Sequence, residues 1–339
     1  MGADRFELCR DRDPVHWHAA SNAWLITRYD DVVRLLADPR LTSRTLGDRI
    51  DALPGLSPEE RSQLAAFYGG WLSLTDGPVH AGLRRLIAPI LAPSKVAPWA
   101  SVFCEFAEGQ AHEARWDRID DTFARPYAAR VVGAVLGLTP DEFPEALRAT
   151  GRLLRLLGAG NPSARHAREA QEALAVVNEL ARRLVDRAGT PVPLLHGCAL
   201  PDEVRGATLV QLIAGGYDPV ARCLTSYAVA GAPPGEGGGD PVDEVLRLHP
   251  PFELLPRIAG ESVQVGDRVL PEGSRVLLAI GSANHDEPSA HVSFGGGRHR
   301  CPAAGLGRAA VSAGVTVLSR LRPGAGAATT CSDRCSTRS

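Results

Sequence analysis

The chain has 339 residues, a net charge of −2 and 44% hydrophobic residues, enough to bury a large core in one compact unit or two closely joined lobes. Near-neutral charge argues against a nucleic-acid-binding protein, and the polar start, Met1 to Arg5, shows neither a secretory leader nor an uninterrupted apolar span, so a cytoplasmic protein without a membrane anchor is expected. Seven cysteines, Cys9, Cys104, Cys198, Cys223, Cys301, Cys331 and Cys335, form no disulfide framework, and Cys331-x-x-x-Cys335 lacks the second ligand pair of a zinc site.

Ala23-Trp24-Leu25-Ile26-Thr27 predicts an edge strand and Asp30 to Asp38 a first small helix. His16 and His18, which flank Trp17 after Asp13-Pro14-Val15, read as structural and not as a metal pair. Residues 45–70 are expected to form a loop region. Thr75 to Leu86 opens a helix with Asp76 as its cap, and His80 and Arg84, four residues apart, share one face. Taken alone that pair also suits a solvated face. Residues 142–188 give two amphipathic helices broken at Gly158-Ala159-Gly160-Asn161-Pro162. Leu153, Leu154 and Leu157 on the first of them suit either a pocket wall or plain core.

A long apolar helix is expected from about Asp202 to Ala230. Pro219 within it cannot donate to the carbonyl of Gly215, and its ring crowds that turn, which predicts a local kink at Gly215-Gly216. Gly231 to Gly239 reads as a flexible joint. Asp240 to Pro251 reads as a short helix with an aspartate cap, Pro241 at its first position and a Pro250-Pro251 stop. Glu244 and Arg247 share a face there, and an exposed pair at that spacing stabilises a helix by only about 0.2–0.5 kcal/mol. Arg257 precedes alternating stretches, Val263 to Val269 and Arg275 to Ile280, that predict short strands around a Pro271-Glu272-Gly273 turn. The polar stretch 324–339 reads as a disordered tail.

Phe294-Gly295-Gly296-Gly297-Arg298-His299-Arg300-Cys301-Pro302 carries one cysteine out of a glycine-rich turn and into a helix expected to open at Pro302 and run to about residue 321. The glycines allow positive φ and close approach to a flat ligand, and Pro302 suits a first helical position. Cys301 would then be the N-cap, where helix amides favour the thiolate that ligates iron. A buried structural cysteine is the plain alternative. No Gly-Lys-Ser/Thr follows the glycines and no strand-turn-helix unit with a distal acid surrounds them, so neither a P-loop nor a dinucleotide fold fits.

This loop resembles the haem-binding signature of cytochromes P450, Phe-Gly-x-Gly-x-His-x-Cys-x-Gly, at Phe294, Gly295, Gly297, His299 and Cys301, with Ala303 in place of the last glycine. The resemblance covers about residues 13–323 in order, with internal gaps. It implies a mainly α fold with small β-sheets, partly truncated, as a single domain over 1–323 with its haem-binding loop at 294–303. The cofactor implied is haem b, iron protoporphyrin IX. Cys301 would be the axial iron ligand, with Phe294, Gly295 and Gly297 framing the loop, and His299, His80, Arg84 and Arg257 would serve the propionates. Thiolate ligation pushes electron density onto iron and favours O–O cleavage.

Glu244-x-x-Arg247 would, by the same resemblance, be buried and structural, closing a network with an arginine from a later meander. That meander is shortened here, since Ala283-Asn284-His285-Asp286-Glu287 runs almost directly into His291-Val292-Ser293-Phe294. Leu209 to Pro219 resembles the helix over the distal haem face and puts Gly215, Gly216, Asp218 and Pro219 in the catalytic region. Pro219 stands where the family usually has threonine.

The resemblance implies a monooxygenase that inserts an oxygen atom from O2 into a small organic substrate, by family habit a natural-product intermediate. Electrons would come from a ferredoxin and its ferredoxin reductase, and the protein would work as a monomer. Arg298, Arg300 and Arg308 would offer a cationic landing surface to an acidic redox partner, or merely solvate that face. Loss of the threonine hydroxyl leaves proton delivery to Asp218 through water or to the substrate's own hydroxyl, and opens the alternative of a peroxide-driven oxygenase. The short meander and the lack of the family's C-terminal strands after Leu321 support a third expectation, a degenerate P450-like protein that only holds a ligand or partner.

Overall fold

The computed structural model describes residues 6–43, 50–230 and 240–322; the expected joint at Gly231 to Gly239, the tail 324–339 and the cysteines Cys331 and Cys335 lie outside the described residues. In chain order the elements are α1 (Glu7–Arg12), β1 (Val15–His18), β2 (Ala23–Ile26), α2 (Tyr29–Ala37), β3 (Leu41–Thr42), α3 (Pro58–Gly69), α4 (Gly77–Ile87), α5 (Pro93–Val96), α6 (Trp99–Ala111), α7 (Arg125–Leu136), α8 (Glu142–Gly158) and α9 (Ala164–Leu184). There follow α10 (Asp202–Ala230), α11 (Pro241–Leu248), β4 (Leu254–Ala259), β5 (Val263–Val265), β6 (Arg268–Leu270), β7 (Arg275–Ala279), α12 (Ile280–Asp286) and α13 (Ala304–Leu321). The fold is mainly helical with small mixed sheets, as expected. No single described helix is long and apolar enough to cross a membrane.

The described residues fall into two compact units. The first takes residues 6–43, 113–124, 219–230 and 240–322. Its five-stranded sheet has the order β1-β2-β7-β4-β3, antiparallel throughout except for the parallel β2–β7 pair, while β5 and β6 form a separate hairpin. β2, expected at an edge, is an interior strand, because Val15 to His18 pairs along its outer side in the register Val15↔Ile26. His16 and His18 bond within their own segment, His16 Nδ1 to the Asp13 carbonyl at 2.9 Å and His18 Nδ1 to Ser21 Oγ at 2.9 Å, which fits a structural role. The core beneath this sheet gathers Ile26, Leu35 and Leu36 with Val263, Leu270, Val276 and Leu278.

The second unit takes residues 50–112 and 125–218. Within the region expected to be a loop lies α3, whose capping box is legible in Ser57-Pro58-Glu59-Glu60: Ser57 Oγ accepts from Glu60 N, and Glu60 reaches back to the Ser57 amide. α8 and α9 are the two expected amphipathic helices. Alanines of α9, among them Ala167, Ala170, Ala173 and Ala181, are buried with Leu153 and Leu156 of α8, and small side chains of this kind let helices approach closely. Leu153 is completely buried core, worth about 1.5–3 kcal/mol of apolar transfer, whereas Leu154 faces outward. Leu157 is half-buried, so of the three leucines Leu153 alone is core.

Candidate haem-binding site

Two glycines shape the cysteine loop. Gly295 and Gly297 have φ of +68° and +59°, and a Cβ on Gly297 would lie 2.5 Å from the Leu36 carbonyl oxygen and 2.7 Å from Ala37 Cα. Only glycine fits a left-handed position pressed so closely on the end of α2. The loop closes through three amides: Gly295 donates to the Val292 carbonyl at 2.8 Å, Arg300 to Gly297 at 3.2 Å and Cys301 to Phe294 at 2.8 Å. Cys301 is a half-buried free thiol, and His299 ends the short turn Gly297–His299 half-buried. Phe294 leans toward α13, where a Cβ on Gly307 would meet its ring at 3.5 Å.

Helix α13 begins later than expected. Its first residue is Ala304 and its N-cap Ala303, so Cys301 is not the N-cap and Pro302 is not the first helical residue. The backbone between them makes a turn, and the bond that opens the helix is the Gly307 amide to the Ala303 carbonyl at 2.9 Å. Two of the three arginines expected on a docking surface are also committed. Arg298 donates to the carbonyls of Asp38 at 3.2 Å and Leu41 at 2.5 Å, stapling the loop to the connection between α2 and β3. Arg308 pairs with Asp243 and, at 3.8 Å, with Asp240.

Arg257 lies on β4 and is only 7% exposed, which removes the surface-arginine alternative. It stands two residues after Leu255, so both side chains leave the same face of the strand. Leu255 is the neighbour a Cβ on Gly295 would meet at 3.9 Å, so the buried guanidinium shares the strand face that meets the cysteine loop.

Short helix α11 supplies the polar frame. Asp240 caps it through the Val242 amide at 3.0 Å, with Pro241 at its first position. Arg247 grips Glu244 with two bonds, Nη2 to Oε1 at 2.8 Å and Nε to Oε2 at 2.9 Å, both side chains being largely buried. The Arg247 guanidinium holds the Glu244 carboxyl below its ordinary range. The third arm of this network comes from α12, where Arg247 Nη1 donates to the Asn284 carbonyl at 2.9 Å. A backbone oxygen from α12 thus joins the pair as an acceptor for Arg247 and not as a second cation for Glu244.

The remaining expected site residues belong to the second unit and to α10. His80 is buried on α4, with Arg84 half-buried one turn on. Asp76 occupies the N-cap position of α4 without making the expected side-chain cap bond; its carbonyl receives the His80 amide at 3.3 Å. α10 is helical throughout, Pro219 included. Its two glycines differ: a Cβ on Gly216 would lie 2.9 Å from Val132 Cγ2, while around Gly215 there is open space among the described residues. Gly216 therefore serves helix packing. Asp218 forms a salt bridge at 3.5 Å with Arg125, whose guanidinium also lies 5.9 Å from the Tyr217 ring centre. Nothing in the sequence pointed to Arg125, 93 positions away.

The donor set favours an iron carried by a cofactor over an ion held by protein groups alone. Among the described residues no group of three or more His, Cys, Asp or Glu side chains could hold a metal ion. A half-buried thiol on a loop that meets the strand face of the buried Arg257 guanidinium suits a carboxylated ligand. Cys223, the other cysteine of interest, is buried on α10, which pushes its thiol up to about 12 and leaves it inert. The residues present fit haem.

Known proteins agree with that fit. The family model "Cytochrome P450" matches residues 241–289, the stretch from α11 through α12. The chain is 26% identical over 334 residues to Cytochrome P450 107B1 of Saccharopolyspora erythraea, covering 85% of this chain and 78% of that one. It is also 26% identical over 324 residues to 6-deoxyerythronolide B hydroxylase of the same organism, covering 83% and 78%. The crystal structure of CalO2 superposes with a TM-score of 0.78 at 24% identity, covering 94% of this chain and 87% of that one. With these likenesses along most of its length, the chain is similar to members of the cytochrome P450 family.

Proposed function

We propose that this chain is a cytochrome P450, a haem-thiolate monooxygenase that holds the iron of haem b through Cys301 and inserts one oxygen atom from O2 into a small organic molecule. The observation that carries the reading is the loop itself: a free, half-buried thiol fixed by a 2.8 Å amide bond to Phe294 and flanked by glycines with positive φ. Gly295 and Gly297 keep the backbone close to a flat ligand, Phe294 supports the thiolate side, and His299, Arg257, His80 and Arg84 are the cations offered to the propionates. When bound, the haem supplies dioxygen activation, with an electron-rich thiolate favouring O–O cleavage. The 6-deoxyerythronolide B hydroxylase among the relatives supports a natural-product intermediate as substrate. Electrons are proposed to come from a ferredoxin and its reductase, with Arg300 on the exposed side of the loop.

On α10 the chain's own residues deliver protons. Asp218 is an exposed carboxylate held by Arg125, and Gly215 leaves room beside the helix for water or substrate. Pro219 carries no hydroxyl and no N–H, and this favours a second reading in which hydrogen peroxide replaces O2 and the electron chain. The decisive experiment is the absorption spectrum of the purified protein, reduced with dithionite and exposed to CO, beside Cys301→Ala. A shifted Soret band of the thiolate type, absent from the variant, is the expected result; a protein that takes up no haem would overturn the reading. Turnover with peroxide alone, against turnover with ferredoxin and reductase, separates the two oxidant schemes.

A further inference from the structure

The segment between α12 and the cysteine loop is short, yet it carries a dense set of polar bonds to α11. The Val292 amide donates to Asn284 Oδ1 at 2.8 Å, Asn284 Nδ2 donates to Ser293 Oγ at 2.8 Å, and Ser293 Oγ donates to the Leu246 carbonyl at 2.6 Å. One turn earlier on α11, Asp243 receives two partners from opposite ends of the loop. His291 Nε2 lies 3.1 Å from its Oδ1, and Arg308, in the second turn of α13, pairs with the same oxygen. His291 precedes the loop and Arg308 follows it.

We propose that Asp243 is a positioning residue for the Cys301 loop, clamping its entering limb through His291 and its leaving limb through Arg308 onto one short helix. The proposal rests on the haem-thiolate reading for its consequence, and on the hydrogen bonds above for its geometry. A carboxylate suits this place, because one oxygen accepts from the imidazole and the guanidinium together and its charge pairs with Arg308. Its proton is held off chiefly by the hydrogen bond from Arg308, and then by His291, so the acceptor is ionised at neutral pH. With both limbs fixed, the eight residues from Ser293 to Arg300 have little freedom to carry Cys301 away from its bond to Phe294. Outer partners of this kind are what hold a metal ligand within the tolerance its chemistry demands.

The test compares Asp243→Asn and Arg308→Lys with the wild type, and with Glu142→Gln as a control that weakens ion pairs to Arg187 at 3.0 Å and Arg183 at 3.8 Å within the other unit. Asparagine keeps the shape and an acceptor oxygen but removes the negative charge that pairs with Arg308. In the haem-free full chain, exchange of the Cys301 amide is expected to be about tenfold faster in Asp243→Asn, intermediate in Arg308→Lys and unchanged in the control, the lower end of what outer partners of a ligand contribute. In the haem-loaded protein, Asp243→Asn should shift part of the ferrous–CO Soret band away from the thiolate position and release haem to a scavenger about tenfold faster. Exchange rates and band position equal to wild type, or moved as far by Glu142→Gln, would overturn the clamp. A wild type that takes no haem would sink the haem-thiolate reading, while the amide exchange would still decide the clamp.

Discussion

Gly297→Ala should be the most damaging single methyl that can be added to the cysteine loop. Its φ of +59° costs an L-residue about 1–2 kcal/mol. The new Cβ would also stand 2.5 Å from the Leu36 carbonyl oxygen and 2.7 Å from Ala37 Cα, both backbone atoms, so α2 or the loop must move. Forced overpacking of this kind typically adds about 1–3 kcal/mol, giving about 2–5 kcal/mol in all. Gly295→Ala meets only ordinary contacts, the nearest at 3.6 Å, and should lose only the backbone share, about 1–2 kcal/mol. In the middle of α8, Gly151→Ala meets nothing closer than the flexible tip of Arg155 at 3.6 Å and should stabilise by about 0.5–1 kcal/mol. Urea unfolding of the haem-free chain followed by circular dichroism ranks the three; with a slope of about 1–3 kcal/mol per molar urea, the first should move the midpoint by about 1 M or more. A Gly297→Ala midpoint indistinguishable from wild type, or a loss no larger than for Gly295→Ala, would refute the close-approach account.

Glu244→Gln removes a largely buried, doubly bonded carboxylate and should cost about 1–3 kcal/mol at pH 7. Because Arg247 holds the folded-state carboxyl below its unfolded range, this stabilisation is complete above about pH 5 and fades as pH falls through the folded value, so wild type and variant should converge in acid; a constant gap would contradict the assignment. In the haem-free protein a thiol reagent should modify half-buried Cys301 well before Cys223, whose thiol is pushed up to about 12, and mass spectrometry of peptides from a timed reaction will show a contrary order if one exists. Gly216→Ala should lose about 1–3 kcal/mol against Val132 in thermal unfolding while Gly215→Ala does not, and equal losses would contradict the packing role. Pro219→Thr restores both an N–H and a hydroxyl to α10; product formed per NADPH with ferredoxin and reductase should rise relative to peroxide-driven turnover, and an unchanged ratio would count against the peroxide reading of Pro219.

Local chemistry was the legible part of this fold. Proline and aspartate at the start of α11, the Gly158-to-Pro162 break between α8 and α9, and the glycine spacing around Cys301 each act over a few residues, and each appears where the pattern puts it. Ser57 and Glu60 announce α3 just as plainly, through a capping box inside the stretch expected to be a loop. What could not be read were partnerships across long separations. Val15 to His18 turns β2 from an edge into an interior strand, Arg125 reaches Asp218, and Arg298 spends its donors on carbonyls some 257–260 positions away. The start of α13 differs from the expected one: proline permits a first helical position at 302, but the helix opens where the Gly307 amide meets the Ala303 carbonyl, with Ala304 as its first residue. The Asn284 carbonyl that joins Arg247 has no side-chain signature at all, because the acceptor is backbone.

The pairing of β2 with β7 also governs how this protein is born. Leu25 and Leu277 face each other in a parallel register, 252 positions apart, so the first strands emerge from a ribosome long before the strand that pairs with them exists. At about 5–20 residues per second that delay is roughly 12–50 s. Until then β1 and β2 are an isolated hairpin, marginal in water, with an open edge and the apolar side chains of Ala23, Leu25 and Ile26 uncovered. Chaperone occupancy of nascent chains should accordingly begin with this hairpin and end only once residues 275–279 have cleared the exit tunnel.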